Sequence, residues 1–352
     1  MSISIQNQMD PIYETILLLY LGYDVDKFKS TLVSQINEAG GDGEGVYHKY
    51  LAVNEKYVRA FQKNRITSDR DSFYFKDTSF DFFNSFISPF LADKDLINSI
   101  GQMNNNQIMK ILFLNSEDIF ERKLPDYSEK AFQEFIKVEN IIKFVNSFDS
   151  NENEKWKMFL ILQNPQDYYN YFADLVLKNI SAYKKSVEVI KPSLDKYLEQ
   201  FNKAITSEEK AKKFLADSNF ENCEITQIIP SMATASGFVI TSGQSCYYGL
   251  LAAKVMTEIG LKGSGKEYLI TCLKALSDHS KLEILTSLKV NPKYATELAA
   301  QLGLTSATVS YHMGTLLATR MVYVEKENGK YYYHVDKDSL KEIIEQLRQL
   351  LM

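Results

Sequence analysis

Apolar residues recur at helical spacing through most of residues 1–217, and this pattern predicts a predominantly helical region. The run "PIYETILLLYL" begins with Pro11 at a first helical position and is followed by Gly22, so a helix is expected between these residues. Residues 164–190 predict a long helix that must kink or stop at Pro192.

Aromatic residues are concentrated between residues 72 and 90. The stretch "SFYFKD" (72–77) predicts a short strand, and residues 79–90 predict a helix. Five apolar side chains of that helix fall on one face: Phe80, Phe83, Phe86, Ile87 and Phe90. These rings, together with "YYNYF" at residues 168–172, could line a hydrophobic pocket for an effector, although such stripes more often form a packed core.

The pattern changes after this helical region. Two β-branched runs around a small-residue turn in residues 223–243 predict two strands or a hairpin, and residues 247–259 return to helix. The glycine-rich residues 260–265 lack apolar anchors, so we predict a linker there. The linker divides the chain into a mainly helical domain for effector binding or dimerisation (1–259) and a smaller C-terminal domain (266–352). The expected fold class is mainly α (α+β), with a small β element in the first domain.

The C-terminal domain shows four helical segments and a hairpin in succession. "KEYLITCLKALSD" and "HSKLEILTSL" predict two helices, "YATELAAQLG" predicts a third that ends at Gly303, and "LGLTSATVSYHMGTL" predicts a fourth. The dipeptide Asn328-Gly329 is a strong hairpin signal, and pairing outward from it sets Val324 opposite Tyr333. A last helix, "DKDSLKEIIEQLRQLLM", follows. This order predicts a winged helix-turn-helix.

The fourth helix has an outward face of small polar side chains. Its apolar residues Val309, Met313, Leu316 and Leu317 are predicted to face the core. A helical projection places five residues on the opposite side: Ala307, Thr308, Tyr311, Gly314 and Thr315. Ser310 and His312 fall on the two flanks.

Such a face suits the major groove of double-stranded DNA. Hydroxyl groups, including those of Thr305 and Ser306, can bond to base edges, Ala contacts thymine methyls, and a helix N-terminus favours phosphate. Arg320 at the end of the helix and Lys326 and Lys330 on the wing would reach the DNA backbone. The alternative is a surface helix whose polar face meets only water, but that kind of face usually carries Lys and Glu.

Charge and cysteine content agree with this prediction. From residue 262 onward the chain has 12 Lys and Arg against 10 Asp and Glu, whereas the rest has 28 against 35, so a mildly basic tail follows an acidic body. The three cysteines are scattered, without metal-binding spacing, which indicates a reducing compartment. No signal peptide or membrane span is recognisable, so we expect a cytoplasmic protein without membrane contact.

The C-terminal motifs resemble those of the ArsR-type winged-helix regulators of bacteria. The matching elements are "LKALSD…KLEIL" and "LGLTSATVSYHMGTL", with Ser310 and His312 at the positions of the family's S-x-H motif, and the resemblance covers residues 266–345. It implies a homodimeric transcription regulator, more specifically a repressor, that binds a pseudo-palindromic operator and is released by an effector. It also implies that Ser306, Thr308, Ser310 and Tyr311 approach bases. His312 would approach the groove edge or a phosphate.

Two departures from the family pattern matter. Metal-sensing members carry cysteines in the third helix or carboxylates and histidines in the last one, whereas this chain has "TELAAQL" in the third and no histidine in the last. We therefore expect no metal and no cofactor. Arg320 stands where the family usually has glycine, and this absence is expected to shift the wing slightly.

The last helix carries an apolar stripe, and the core of a small winged helix has little room left to bury it. The stripe consists of Leu340, Ile343, Ile344, Leu347, Leu350 and Leu351. We predict that it forms the dimer interface, with Leu269 and Leu273 of the domain's first helix. The alternative is that it docks onto the N-terminal domain of the same chain.

Other signals are weaker. "GLKGSGK" fits a phosphate-binding loop, but Glu267 stands where Ser or Thr should hold Mg²⁺, and no strand precedes it. No pattern of a nucleophile with a base stands out, so we expect no enzymatic activity. The preferred hypothesis is a regulator in which the N-terminal domain responds to a small molecule or a protein partner. The alternatives are an enzyme or a protein-interaction protein that uses the winged helix only for docking.

Overall fold

The protein was analysed as a computed structural model. It describes residues 3–38, 41–116, 124, 126–148, 150–217, 223–241, 244–258, 266–304, 306–327 and 330–352. These residues are mostly helical and include two small sheets, so the mainly α (α+β) fold class is confirmed. The predicted linker, residues 260–265, lies outside the described residues.

The N-terminal part is built mainly from helices. Their bounds are α1 Pro11–Leu21, α2 Val25–Glu38, α3 Gly43–Val46, α4 Ala52–Asn64, α5 Asp71–Phe75, α6 Phe80–Ala92, α7 Leu96–Ser99, α8 Asn105–Leu114, α9 Glu129–Phe135, α10 Val138–Asn146, α11 Glu152–Gln163, α12 Pro165–Ala204, α13 Glu208–Asp217 and α14 Ala252–Glu258. A π-helical turn, Tyr47–Leu51, joins α3 to α4. The prediction for α1 is confirmed: Asp10 caps the amides of Ile12 and Tyr13, and Gly22 ends the helix.

One local prediction in this region is wrong, and of the two outcomes expected at Pro192, a kink or a stop, the stop does not occur. The expected strand at residues 72–77 is instead helix α5, because its aromatic rings pack against α6 and α12 rather than alternating between two faces. Helix α12 continues through Pro192 to Ala204. Pro192 faces solvent, where water can satisfy the carbonyl that loses its partner, while Ile190 and Leu194 on either side are buried in the core.

A four-stranded sheet lies within the N-terminal domain. Its strands are β1 Ser4–Ile5, β2 Gln227–Ser231, β3 Phe238–Ile240 and β4 Ser245–Gly249, in the order β1-β2-β4-β3. Strands β1, β2 and β4 are parallel, and β3 is antiparallel to β4. Strands in residues 223–243 are therefore confirmed, but their pairing as one hairpin is wrong. Residues 247–249 are strand rather than helix; β4 is buried along its whole length and so shows no alternating pattern.

The aromatic residues predicted near α6 form a packed core. The Phe172 ring lies 5.1 Å from that of Phe86 and 5.4 Å from that of Tyr74, and Tyr169 stacks on Phe86 at 4.8 Å between ring centroids. Most of these side chains are almost fully buried in one apolar cluster. Packing rather than an aromatic pocket accounts for their sequence pattern.

A buried carboxylate joins the helices to the sheet. Glu14 of α1 is fully buried, and its Oε1 accepts hydrogen bonds from the Ser231 hydroxyl (2.5 Å) and the Met232 amide (3.1 Å). Its Oε2 accepts from the Tyr57 hydroxyl (2.8 Å) and the Ala233 amide (3.1 Å). Burial raises the pKa of the Glu14 carboxyl to about 7, although these four donors favour the charged form.

The C-terminal part is a winged helix, as predicted. It consists of α15 Lys266–Ser277, α16 His279–Val290, α17 Ala295–Leu302, α18 Ser306–Ala318, β5 Val322–Glu327, β6 Lys330–Val335 and α19 Lys337–Leu351. Asp278 caps α16, and Gly303 ends α17 with φ +65°. Val324 pairs with Tyr333, so the predicted register of the wing is confirmed; Asn328 and Gly329 lie outside the described residues.

Two apolar clusters make up the interior of the part of the chain that the structure describes. One lies in the N-terminal domain, and the other lies between the helices and the base of the wing in the winged helix. Val324, in the middle of β5, is 4% exposed and belongs to the N-terminal cluster, with Leu317, Tyr331 and Tyr333 packed beside it. The wing is therefore a point of contact between the two domains.

Candidate nucleic-acid interface

Helix α18 is fixed by its apolar side and presents part of its polar side to solvent. Val309, Met313 and Leu316 are buried in the core of the winged helix, as predicted. Ser310 and Gly314 are exposed, and Thr308 is half-buried. The helix that the sequence predicts to read DNA is thus held by the domain and accessible from outside.

Some of the predicted contact residues are described only in part. Thr305 lies outside the described residues. For Ser306, Ala307, Tyr311, Lys326 and Lys330 the structure describes the backbone and not the side chain. The first three lie on the N-terminal half of α18, and the two lysines lie at the tip of the wing, where Lys330 pairs with Glu327. Their assignment to DNA contacts stays a prediction.

The covered side of α18 is wider than the helical projection indicated. The projection placed Thr315 outward, but this residue is buried, so that prediction is wrong. His312 is also buried, with 8% of its surface exposed. A helical projection assumes that only one side of a helix is covered by its neighbours. This helix is packed against α16, α17 and β5. Little of the His312 ring reaches the surface, and its predicted approach to the groove edge or a phosphate stays a prediction.

His312 instead lies close to an ion pair at the start of α16, formed by the buried Lys281 and the partly exposed Asp278. Asp278 accepts a hydrogen bond from the Lys281 amide at 2.9 Å, and the Lys281 Nζ lies 3.4 Å from its carboxylate. Burial alone would raise the pKa of Asp278, but this amide and the charges of Lys281 and His312 hold the pKa below its ordinary value. The cluster connects α18 to the start of α16.

The junction between α18 and the wing has an unusual backbone conformation. Arg320 has φ +60°, in the left-handed region where residues other than glycine cost about 1 to 2 kcal/mol. Its amide donates to the Leu317 carbonyl at 3.0 Å, and the Met321 amide donates to the Leu316 carbonyl at 2.9 Å. These bonds form a Schellman motif, in which Arg320 occupies the position that favours glycine. The sequence showed the missing glycine, but not that Arg320 itself would adopt this conformation.

The last helix divides its predicted stripe between core and surface. Ile343 is buried in the core of the winged helix, and Leu340 and Leu347 pack partly against it, so this core takes up half of the stripe for which little room was expected. Ile344 and Leu351 are 66% and 77% exposed. None of the six stripe residues belongs to the N-terminal apolar cluster, so the alternative of docking there is not what the described residues show.

An exposed apolar surface remains where α15 and α19 pack together. We call it the α15–α19 face, and it consists of Ile270, Leu273, Ile344, Leu350 and Leu351. Of the two predicted contributors from α15, Leu273 is exposed, whereas Leu269 is buried in the core. These exposed side chains are the ones on which the predicted dimer interface depends, and that interface stays a prediction.

Neither a metal site nor a membrane span emerges from the described part of the chain. It contains no group of three or more His, Cys, Asp or Glu side chains placed to hold a metal ion. The three cysteines, Cys223, Cys246 and Cys272, are buried. No helix within the described ranges is both long and apolar enough to cross a membrane.

The fold and its exposed helix define the chain's C-terminal domain as a winged helix-turn-helix of the DNA-binding type. Residues 278–324 match the sequence model described as "Bacterial regulatory protein, arsR family". The chain is 35% identical over 79 residues to an arsenical resistance operon repressor of Staphylococcus aureus and 34% identical over 79 residues to one of Staphylococcus xylosus. Each match covers 76% of the relative and 22% of this chain. No solved structure matches.

The chain belongs to the ArsR family through its C-terminal domain and is a DNA-binding regulator. The resemblance found in the motifs is thereby confirmed. The match leaves the N-terminal domain uncovered, so the relatives carry no information on what that domain does.

Proposed function

We propose that this protein is a homodimeric transcriptional repressor that binds a pseudo-palindromic operator under the control of its N-terminal domain. The observation that carries the proposal is the exposed side of α18, the second helix of a helix-turn-helix whose turn contains Gly303. Ser310 and Gly314 are accessible on that side. The named function of the two relatives, repression of an operon, supports the direction of the effect.

DNA is read by the first turns of α18. Thr305, Ser306, Ala307, Thr308, Ser310 and Tyr311 approach base edges in the major groove. Arg320, Lys326 and Lys330 bind phosphates, which adds affinity without adding sequence information. This division predicts that removing a group that reads a base changes which sequences are bound, whereas removing a group that binds a phosphate weakens binding to all sequences alike.

Dimerisation takes place through the α15–α19 face. A twofold interface pairs a surface with its own copy, and the exposed Ile344 and Leu351 offer such a surface on each chain. Two recognition helices brought together in this way require half-sites about one helical turn of DNA apart. The operator is therefore expected to be a palindrome with that spacing.

Control reaches the DNA-binding domain through the wing. Val324 packs in the apolar cluster of the N-terminal domain, so a change in that domain can move β5 and the adjoining end of α18. The effector is a small molecule or a protein partner. The names of the two relatives mention an arsenical, but an arsenical is not proposed as the effector of this chain, because its three cysteines are buried and scattered.

Selection of bound duplexes from random DNA, using the full chain, tests the proposal. We expect a palindromic site whose affinity falls steeply with salt concentration. Ser310→Ala and Tyr311→Ala should each reduce affinity for that site about five- to tenfold and relax its sequence requirement. Ser277→Ala removes an exposed hydroxyl at the end of α15 and should change nothing. Binding that ignored salt and both α18 substitutions would contradict the proposal.

A further inference from the structure

Two helices of the winged helix end in the same backbone conformation with very different residues. Helix α17 ends at Gly303 with φ +65°, and α18 ends at Arg320 with φ +60°. After each helix the next amide bonds back to the fifth carbonyl before it: Leu304 to Ala299 at 3.0 Å, and Met321 to Leu316 at 2.9 Å. Glycine adopts this conformation without steric cost, whereas arginine does not.

The backbone around Arg320 has no room to relax. Thr319 and Met321 on either side are completely buried, and the Tyr268 hydroxyl donates to the Thr319 carbonyl at 2.9 Å. The left-handed conformation is therefore imposed by the fold, and any residue at position 320 must adopt it. A glycine would adopt this backbone conformation at lower cost, so the backbone does not explain why an arginine stands at this position.

The side chain of Arg320 offers that reason. It is exposed, and no ion pair or side-chain hydrogen bond ties it to another residue in the described part of the chain. Strained residues that persist in a fold are concentrated at binding sites. A guanidinium that projects into solvent at the end of the recognition helix is suited to an anion supplied by another molecule, and phosphate is the anion that it binds with two parallel hydrogen bonds.

We infer that the α18–wing junction gives up local stability for DNA affinity: Arg320 is kept in the left-handed conformation because its guanidinium binds a phosphate of the operator. This inference rests on the proposed function, which assigns Arg320 to a phosphate, and adds the reason why this residue keeps a strained backbone. It predicts that glycine at this position stabilises the junction and weakens DNA binding, which are effects of opposite sign. A residue with a purely structural role would not separate these two effects.

Three substitutions in the full chain separate charge from backbone strain. Arg320→Gly removes both, Arg320→Asn removes the charge with a residue that tolerates the left-handed region, and Arg320→Lys keeps both. Operator affinity is measured over a range of salt concentrations, and local stability is measured by amide hydrogen exchange of residues 309–325. Lys289→Asn, which removes an exposed positive charge from α16, is the control.

Arg320→Gly should slow amide exchange at the junction about fivefold and weaken operator binding about tenfold. It should also reduce the slope of log affinity against log salt by about one for each phosphate that the variant no longer neutralises. Arg320→Asn should show the same reduction in slope with a smaller gain in protection, and Arg320→Lys should keep the slope.

Unchanged DNA affinity and salt slope in Arg320→Gly would overturn the inference while leaving the proposed function intact. An unchanged slope with weaker dimerisation would overturn it as well, because the anion would then be a carboxylate of a second copy. If the unsubstituted chain showed no salt-dependent binding to any duplex, both the inference and the proposed function would fail.

Discussion

In the aromatic core of the N-terminal domain, Phe172 is fully buried and touches the rings of Phe83 and Phe86. In the winged helix, by contrast, Leu273, Ile344 and Leu351 are exposed although a core lies beside them. A domain of this small size encloses little volume, so part of its apolar surface stays outside unless another chain covers it. The aromatic core of the first domain is thus packed against itself, whereas the exposed residues of α15 and α19 are the surface proposed for a second copy.

The largest expected effect tests the packing of the N-terminal domain. Phe172→Ala should lower its free energy of unfolding by about 3 to 5 kcal/mol, because it opens a cavity among rings that cannot collapse together. The measurement is urea denaturation of the full chain with hydrogen exchange to assign the loss to one domain. Leu177→Ala, at a partly exposed position of the same helix, should change stability by less than about 0.5 kcal/mol. Equal losses from the two variants would show that the core is not packed as described.

The next effect tests whether the winged helix is completed by a second copy. Ile344→Asp should weaken dimerisation about a hundredfold, because each of the two copies loses about 1.5 kcal/mol of apolar burial. Sedimentation equilibrium measures the monomer–dimer constant. The matched control is Val290→Asp, which alters an exposed apolar residue outside the α15–α19 face. A chain that is monomeric at all concentrations, or equal effects of the two substitutions, would contradict the interface.

The smallest of these effects is a pH dependence confined to the N-terminal domain. The pKa of Glu14 is raised by burial to about 7, so the folded state holds this proton more tightly than the unfolded state does. Stability from this group is therefore present at low pH and is lost as the pH rises through 7. The unfolding free energy should be about 2 kcal/mol higher at pH 5 than at pH 8 on this account.

Glu14→Gln isolates the contribution of this carboxyl. The variant should be less stable than the unsubstituted chain, since an amide cannot accept all four hydrogen bonds, but it should lose this part of the pH dependence. The comparison is made by urea denaturation at both pH values. Hydrogen exchange in the winged helix should not change between the two variants. The same pH slope in both would show that Glu14 does not titrate in this range.

The two domains also differ in how far their sequences predict their structures. In the winged helix, Asp278, Gly303 and the pairing of Val324 with Tyr333 follow from local signals, because caps and tight turns depend on a few adjacent residues. In the N-terminal domain, the pairing of β1 with β2 joins residues more than two hundred positions apart. No local pattern specifies such a pairing, and β4 has no alternation because it is buried throughout.

The candidate interface shows the same division. The apolar residues of α18 and the family motifs indicated which helix reads DNA, and the comparisons confirmed the family. The burial of Thr315 and His312 did not follow from the helical period, because α16, α17 and β5 all pack against this helix. The contact of Val324 with the N-terminal cluster was likewise beyond any local pattern.

The sequence by itself determined the mainly helical class, the winged helix with its register, and the helix predicted to read DNA, since these depend on periodicity, caps and turns within short segments. Only the tertiary structure decided that Ile343 is core and Ile344 is surface, that Glu14 joins α1 to the sheet, and that Arg320 adopts a left-handed conformation. Each of these depends on which distant residues cover a side chain or fix a backbone, and that information is not contained in any single segment.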